Sequence, residues 1–332
     1  MRNTFTVSVA MCTHNGALYV EQQLRSILEQ SSSPQQIVIS DDASTDDTLA
    51  VIDRTWISWG EAHPDVALEL LVLRNDPPLG VTANFEQALA ATTGDLIVLS
   101  DQDDIWVPDR LQRMQEEFFR RPQLSLLHAD ARLVDAGGVP MGVSLMDTLG
   151  ISAPDRHAVH RGEALSLLLR RNVVTGATVM LRRSTFERAQ PFPAEWVHDE
   201  WLAMVAASTG VVDLLDASLT DYRQHGSNQI GVTRLNAAGR LGRLTAPRTA
   251  RNARLLARAT VLTERAPQLD PRPSDEVLSL FAGKFSHETM RSSLPAPRLR
   301  RVIPVLQAWR RGDYDRFGLG SQDVLRDLIQ PT

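Results

Sequence analysis

Four times in the first 120 residues a short apolar run gives way to an amphipathic one, and this alternation constrains the fold of the 332-residue chain more than any other feature. Phe5–Met11 alternates and is rich in Val, which predicts a strand. Leu18–Gln30 follows with Leu24, Ile27 and Leu28 on one helical face. Ile37–Ser40 is a second strand, and Ser44 or Thr45 can cap a helix running through Trp59. Leu68–Leu73 and Val81–Ala91 repeat the pair. Asp95–Ser100 is a short apolar strand, and Pro108 suits the first turn of a helix that carries Leu111, Met114 and Phe118. The pattern predicts an α/β fold with a Rossmann-like, mostly parallel central sheet flanked by helices.

Ligands of such sheets lie beyond the carboxyl ends of the strands. Polar groups collect there in this chain: Thr13 to Asn15 after the first strand, Asp41 and Asp42 after the second, Asp101 to Asp104 after the fourth. A dinucleotide site is excluded, because Thr13-His14-Asn15-Gly16 is no glycine-rich turn, and no Walker lysine sequence occurs either.

After Leu124–His128 the rhythm changes. Arg132–Val139 reads as an extended excursion turning at Gly137-Gly138, Glu163–Arg170 and Asp199–Ala207 as helices, and Thr178–Leu181, Val211–Leu215 and Ser218–Tyr222 as strands. From about residue 236 the chain is Arg- and Ala-rich, helical and interrupted by prolines. The expected division is 1–128 for the α/β half, 129–232 for a smaller mixed or antiparallel portion of the same domain, and 233–332 for a basic helical appendage.

The formal net charge of -5 conceals an asymmetry. Residues 1–230 carry 17 Lys or Arg against 31 Asp or Glu, whereas residues 231–332 carry 18 against 9. An acidic body without a basic-aromatic surface pattern argues against nucleic acid as a partner. Arg240, Arg243, Arg248, Arg251, Arg254 and Arg258 recur beside Leu241, Leu244, Leu255 and Leu256. Peripheral contact with an anionic membrane is one account of that segment, and packing on the body or on another subunit of a homo-oligomer is the other. The single Cys12 excludes an intrachain disulfide framework, and no apolar stretch reaches membrane-spanning length. A cytoplasmic location is expected, either free or peripheral at the inner face of the plasma membrane.

The stretch LSDQDDIW poses the chemical question. Asp101, Asp103 and Asp104 crowd like charge into a strand exit, and a divalent cation would relieve it. Carboxylate oxygens suit Mg²⁺ or Mn²⁺, which complete their shells with water and substrate phosphates.

With SDQDDIW, the pieces VAMCTHNGALYVEQQLRSILEQ, VISDDASTDDT, NVVTGATVMLRR, HDEWLA and YRQHGSNQIG stand in an order that resembles the inverting glycosyltransferases of family 2, with the GT-A fold. The resemblance covers roughly residues 5–230, and SDQDDIW is similar to the rhamnosyltransferase-like members. It implies transfer of a sugar from a nucleoside-diphosphate donor, dTDP-L-rhamnose or a UDP-hexose, to a hydroxyl of a glycan or lipid-linked saccharide in bacterial cell-surface polysaccharide (O-antigen-type) synthesis. By the same resemblance Thr13 and Asn15 approach the nucleotide, Asp41 and Asp42 meet its base or ribose, and Asp101 and Asp103 form the metal and ribose-phosphate motif. Asp199 falls at the catalytic base, and His225 approaches the metal or diphosphate. His14 and His198 depart from the family, where Tyr and Glu are common.

Other readings of these residues stay open at this level. Asp199 can cap its helix, Glu200 can be the base, and Asp41 and Asp42 can serve as cap and turn residues. His225 can be a turn residue bonded to backbone, and Gly176 either lets backbone approach the donor sugar or forms a turn. Trp106, Trp196 and Trp201 can line a sugar pocket or pack in the core. A metal-dependent nucleotidyltransferase or phosphohydrolase, or a non-catalytic glycan-binding module, are the rival functions.

Overall fold

A computed structural model describes residues 5–226 and 247–331. They fall into two compact units: residues 5–162, 174–206 and 210–226 in the first, residues 163–173, 207–209 and 247–331 in the second.

The first unit opens with β1 (Val7–Thr13), α1 (Val20–Leu28), β2 (Gln36–Asp41), α2 (Thr48–Ala62), β3 (Glu69–Arg74), α3 (Val81–Ala90) and β4 (Leu96–Ser100). There follow β5 (Ile105–Trp106), α4 (Arg110–Arg120), β6 (Leu124–Val134), β7 (Pro140–Ser144), α5 (Leu145–Leu149) and α6 (Ala153–His160). After α7 (Ala164–Leu168), which belongs to the second unit, come β8 (Val179–Arg182), α8 (Arg183–Ala189), α9 (His198–Thr209) and β9 (Val211–Arg223).

The nine strands among the described residues share one sheet in the order β3-β2-β1-β4-β8-β6-β9-β5, with β7 paired to β6. The half β3-β2-β1-β4 is parallel. Every residue of β2 and β4 is buried, as expected of strands covered on both faces. The edge strand β3 is half-buried. α1 turns Val20, Gln23, Leu24, Ile27 and Leu28 inward, and each large apolar side chain so buried contributes about 1.5–3 kcal/mol. Beyond β4 the sheet is mixed: β8 runs antiparallel to β4 and β6, β9 parallel to β6, and β5 antiparallel to β9.

Three local differences from expectation have physical causes. Residues 211–223 form one strand rather than two, because the register against β6 slips where Ala129 faces Leu215 and Asp130 faces Ser218. The Asp216-Ala217 break in alternation is thus a bulge within a strand. The excursion at 132–139 is the end of β6 and a turn into β7, with Gly138 at φ 84. The helix expected over Glu163–Arg170 shortens to α7, and α8 has no counterpart in the sequence reading.

The second unit continues with α10 (Thr249–Arg265), α11 (Asp275–Ser292), α12 (Arg298–Arg310), α13 (Asp313–Phe317) and α14 (Ser321–Ile329). Leu294, Val305, Ala308, Tyr314 and Val324 make its core. Arg291 binds Asp327 at 2.7 Å, and the Tyr314 hydroxyl donates to the same carboxylate. The arginines expected to form a basic face are partly consumed here: Arg248 is buried and donates to the carbonyl of Arg291, and Arg251 pairs with Asp323 and Asp327. Arg240, Arg243, Leu241 and Leu244 lie outside the described residues. Among the described residues no helix is long and apolar enough to cross a membrane.

Candidate active site

The register of the parallel half aligns three strand exits. Thr13 faces Asp41 across β1 and β2, and Met11 faces Ser100 across β1 and β4. The loops after β1, β2 and β4 therefore leave the sheet side by side. The Thr13 hydroxyl donates to Asp41 Oδ2 at 2.7 Å, and Asp41 also accepts from the amide and hydroxyl of Ser44. Asp42 accepts from the amides of Leu79 and Gly80 at 2.6 and 2.9 Å, which fixes the turn before α3. Asn15, at φ 50, accepts from the Thr45 amide through Oδ1 at 2.8 Å. Asp41, Asp42 and Asn15 thus tie the strand-exit loops to one another.

Gln102 locks the same rim from the opposite side. Its side chain accepts from the His14 amide at 2.8 Å and donates to the His14 carbonyl at 3.0 Å. A Cβ at Gly16 would stand 2.2 Å from Gln102 Oε1, so glycine is what lets this carboxamide sit there.

The acidic stretch is reached from β9. Pairing of Ile105 with Asp221 and Trp106 with Thr220 lays the end of β9 along residues 101–104. His225 Nε2 contacts Asp103 Oδ2 at 2.8 Å, and the Arg223 amide donates to Asp104 Oδ1 at 3.0 Å. The Arg223 guanidinium donates to the carbonyls of Asp103 and Ala136 and to Gln22 Oε1, clamping three segments. Arg110 is wholly buried, lies over the Trp106 ring at 4.0 Å and donates to the Thr220 hydroxyl. Burial lowers its guanidinium to about 9, against the pull of Asp104 and Asp101. Burial and the charges of Asp103 and Asp199 push Asp101 up to about 7, with Arg110 opposing. Asp104 is likewise pushed well above the usual carboxylate range by burial and by Asp101 and Asp103. Among the described residues no ion pair joins Arg110 to these carboxylates, and its charge offsets only part of the crowding.

Asp199 enters from α9. Val197 is the N-cap and supplies no side-chain cap, so Asp199 does not cap the helix; it sits within the first turn. Asp199 Oδ2 accepts from the Gly176 amide at 2.9 Å, and Oδ1 from the Glu200 amide at 2.7 Å. A Cβ at Gly176 would lie 2.9 Å from His198 Nε2 and 3.5 Å from Asp199 Cβ. Glycine at 176 thus leaves room for the His198 ring, whereas the distance to Asp199 is ordinary contact. His198 stacks on Phe85 at 3.9 Å, and burial lowers its imidazole to about 3, leaving it neutral. Trp201 is core, donating to the Ala189 carbonyl, and Trp106 is buried beneath Arg110.

The donor set can be tested for a cation. Among the described residues no three His, Cys, Asp or Glu side chains stand together in an arrangement able to hold a metal ion. Two do meet, Asp103 and His225, beside the crowded Asp101 and the partnerless buried Oδ2 of Asp104. Mg²⁺ and Mn²⁺ sites that share their shell with substrate phosphates draw only one or two carboxylates from protein, and the imidazole suits Mn²⁺ better. The residues fit an ion of that kind and do not form a closed cage.

A parallel half-sheet extended by antiparallel strands, with carboxylates at its strand exits, is the GT-A type of glycosyltransferase fold. Residues 8–141 match the family model described as Glycosyl transferase family 2. An uncharacterised glycosyltransferase of Nostoc sp. is 28% identical over 233 residues, covering 67% of this chain and 66% of the relative. The dTDP-rhamnosyl transferase RfbG of Shigella flexneri is 36% identical over 105 residues, 31% of this chain and 34% of that protein. The chain thus spans less than two thirds of the length of these relatives. Among solved structures, TarS 1-349 of S. aureus in complex with UDP superposes with a TM-score of 0.56 at 15% identity, covering 94% of this chain and 89% of that one. The mannosyltransferase PcManGT of Pyrobaculum calidifontis, in complex with GDP-Man and Mn²⁺, gives 0.51 at 18% identity, over 92% and 76%. These two likenesses bear on the fold.

Proposed function

We propose that the chain is a metal-dependent inverting glycosyltransferase that moves a sugar from a nucleoside-diphosphate donor to a hydroxyl of a glycan or lipid-linked saccharide. The observation that carries the reading is Asp199. Its carboxylate is held from behind by the Gly176 amide and stands close enough to Asp101 to raise that group's pKa. A base and a diphosphate-side acidic pair are then offered to one space.

In a single displacement the acceptor hydroxyl attacks the anomeric carbon as the nucleoside diphosphate departs, and one carboxylate takes the hydroxyl proton. Asp199 is that base. Its place in the first turn of α9 favours the ionised form, so proton transfer falls late, once bond formation has acidified the hydroxyl. Asp103, Asp101 and His225 would hold Mn²⁺ or Mg²⁺, which when bound supplies charge stabilisation for the departing diphosphate. Thr13, Asn15, Asp41 and Asp42 frame the nucleotide side, where a carboxylate can accept the imide N–H of uracil or thymine. That preference, together with 36% identity over 105 residues to a dTDP-rhamnosyl transferase, supports dTDP-L-rhamnose or a UDP-hexose as donor.

Calorimetric titration with dTDP-rhamnose, UDP-glucose, UDP-N-acetylglucosamine and GDP-mannose, with Mn²⁺ and with chelator, tests this. Binding of a dTDP- or UDP-linked sugar that is lost with chelator or in Asp103→Ala is expected. Equal binding with and without the cation contradicts the metal-dependent reading.

A further inference from the structure

α12 (Arg298–Arg310) is packed on one side and apolar on the other. Arg301, Val305 and Ala308 face inward, and Arg301 is fixed there by donating to the carbonyls of Pro295, Asp327 and Gln330. The outward arc holds Leu299 at 88% exposure, Ile303 at 67%, Trp309 at 46% and Val302 at 38%. Four of the fourteen exposed large apolar side chains among the described residues fall within these eleven positions, so the stripe is a concentration rather than scatter. At helical spacing, residues 299, 302, 303, 306 and 309 lie within one arc of the wheel.

The charge on this helix selects the occupant. α12 contains four arginines and no Asp or Glu, and Arg311 follows it. Arg298, Arg300 and Arg310 are exposed and have no ion-pair partner among the described residues, whereas Arg311 pairs with Asp313. A second copy docking on the stripe would bring another arginine row to it, with no carboxylate on the helix to receive that row. A layer of anionic headgroups over acyl chains answers both features at once, since it neutralises the guanidinium groups and takes up the Leu, Ile and Trp side chains.

We propose that α12 is an interfacial helix by which the protein docks on anionic lipid. Of the arginines read from sequence at 240–258, Arg248 is buried and Arg251 is held by Asp323 and Asp327, and those at 240 and 243 lie outside the described residues. The inference stands independently of the transfer reaction.

Co-sedimentation of the full chain with vesicles of phosphatidylcholine, alone or mixed with phosphatidylglycerol, tests it. The chain should pellet with the mixed vesicles and stay in solution with phosphatidylcholine alone. Raised salt, Leu299→Ser with Ile303→Ser, or Arg298→Ser with Arg300→Ser should each reduce the bound fraction by at least about tenfold. These side chains are exposed, so thermal unfolding of both variants should match the parent and exclude misfolding as the cause. Failure to pellet with the mixed vesicles at low salt overturns the proposal, as does equal pelleting of parent and variants. A dimer that Leu299→Ser with Ile303→Ser dissociates, without any lipid binding, assigns the stripe to a second copy and also overturns it.

Discussion

The amide of Gly176 donates to Asp199 Oδ2 at 2.9 Å across 23 residues of sequence. A Cβ at residue 176 would press on the ring nitrogen of His198, the residue before Asp199, and so disturb the turn that presents the carboxylate. Gly176→Ala should therefore lower transfer by about 10- to 100-fold through displacement of the base, with donor affinity nearly unchanged. Its unfolding free energy should fall by about 1–3 kcal/mol from overpacking. Steady-state rates beside donor titrations check this, and a variant with parental turnover would remove the positioning role.

Gln102 makes two hydrogen bonds to His14 and thereby holds the loop after β1 against the acidic strand exit. Gln102→Ala should raise the donor KM several-fold and leave kcat within about twofold, since it loosens the nucleotide side and leaves Asp199 in place. Gly16→Ala should copy it, because the new methyl group displaces the carboxamide. An unchanged KM in both would separate this loop from donor binding.

Arg110 is the buried cation beneath the acidic motif. Arg110→Met removes its attraction for Asp101 and Asp104 and its buried hydrogen bond to Thr220, a loss of about 1–3 kcal/mol. Urea unfolding of the parent and the variant measures the difference. A loss below about 1 kcal/mol, the range of exposed pairs, would show that the guanidinium does not balance these carboxylates.

His160 stands between two carboxylates, with Nδ1 2.9 Å from Asp213 Oδ1 and Nε2 2.9 Å from Asp216 Oδ2. Both nitrogens donate only in the imidazolium form. Burial lowers the pKa, and the hydrogen bonds and charges of Asp216 and Asp213 outweigh it, so the folded-state value lies above the ordinary 6.5. The stabilisation is present in full below the unfolded-state pKa and is lost as pH rises through the folded-state one. Unfolding free energies of the parent should thus decline relative to His160→Gln as pH rises above the ordinary histidine value. Parallel curves would contradict the bridge.

The parallel half of the sheet was legible because its signals are local. The apolar runs of β1, β2 and β4 differ in period from α1, α3 and α4, and the polar residues that end each run mark the strand exits. Asp101, Asp103 and Gly176 stood out because their residue types are costly or permissive where they occur, and Asp199 through the family resemblance of HDEWLA. Arg110, Arg223 and Gln102 did not, although the last lies inside SDQDDIW and Arg223 inside YRQHG. Their importance comes from pairings such as Arg223 with Asp104, 119 residues apart, which no local pattern encodes. The bulge in β9 was hidden for a related reason, since Asp216 and Ala217 read as a turn until β6 supplies the neighbouring register. The two accounts of Arg248 and Arg251 stayed open in the sequence because spacing alone cannot tell a solvated arginine from one that bonds to buried carbonyls or carboxylates.

Acceptor-dependent release of nucleoside diphosphate, followed in the parent and in Asp199→Asn, tests the account most directly. The parent should release nucleoside diphosphate from the bound sugar nucleotide only when a saccharide acceptor is added. Asp199→Asn should bind the donor as the parent does and release at least about 10²-fold more slowly. Release of pyrophosphate or sugar phosphate, or a full rate in Asp199→Asn, would contradict it.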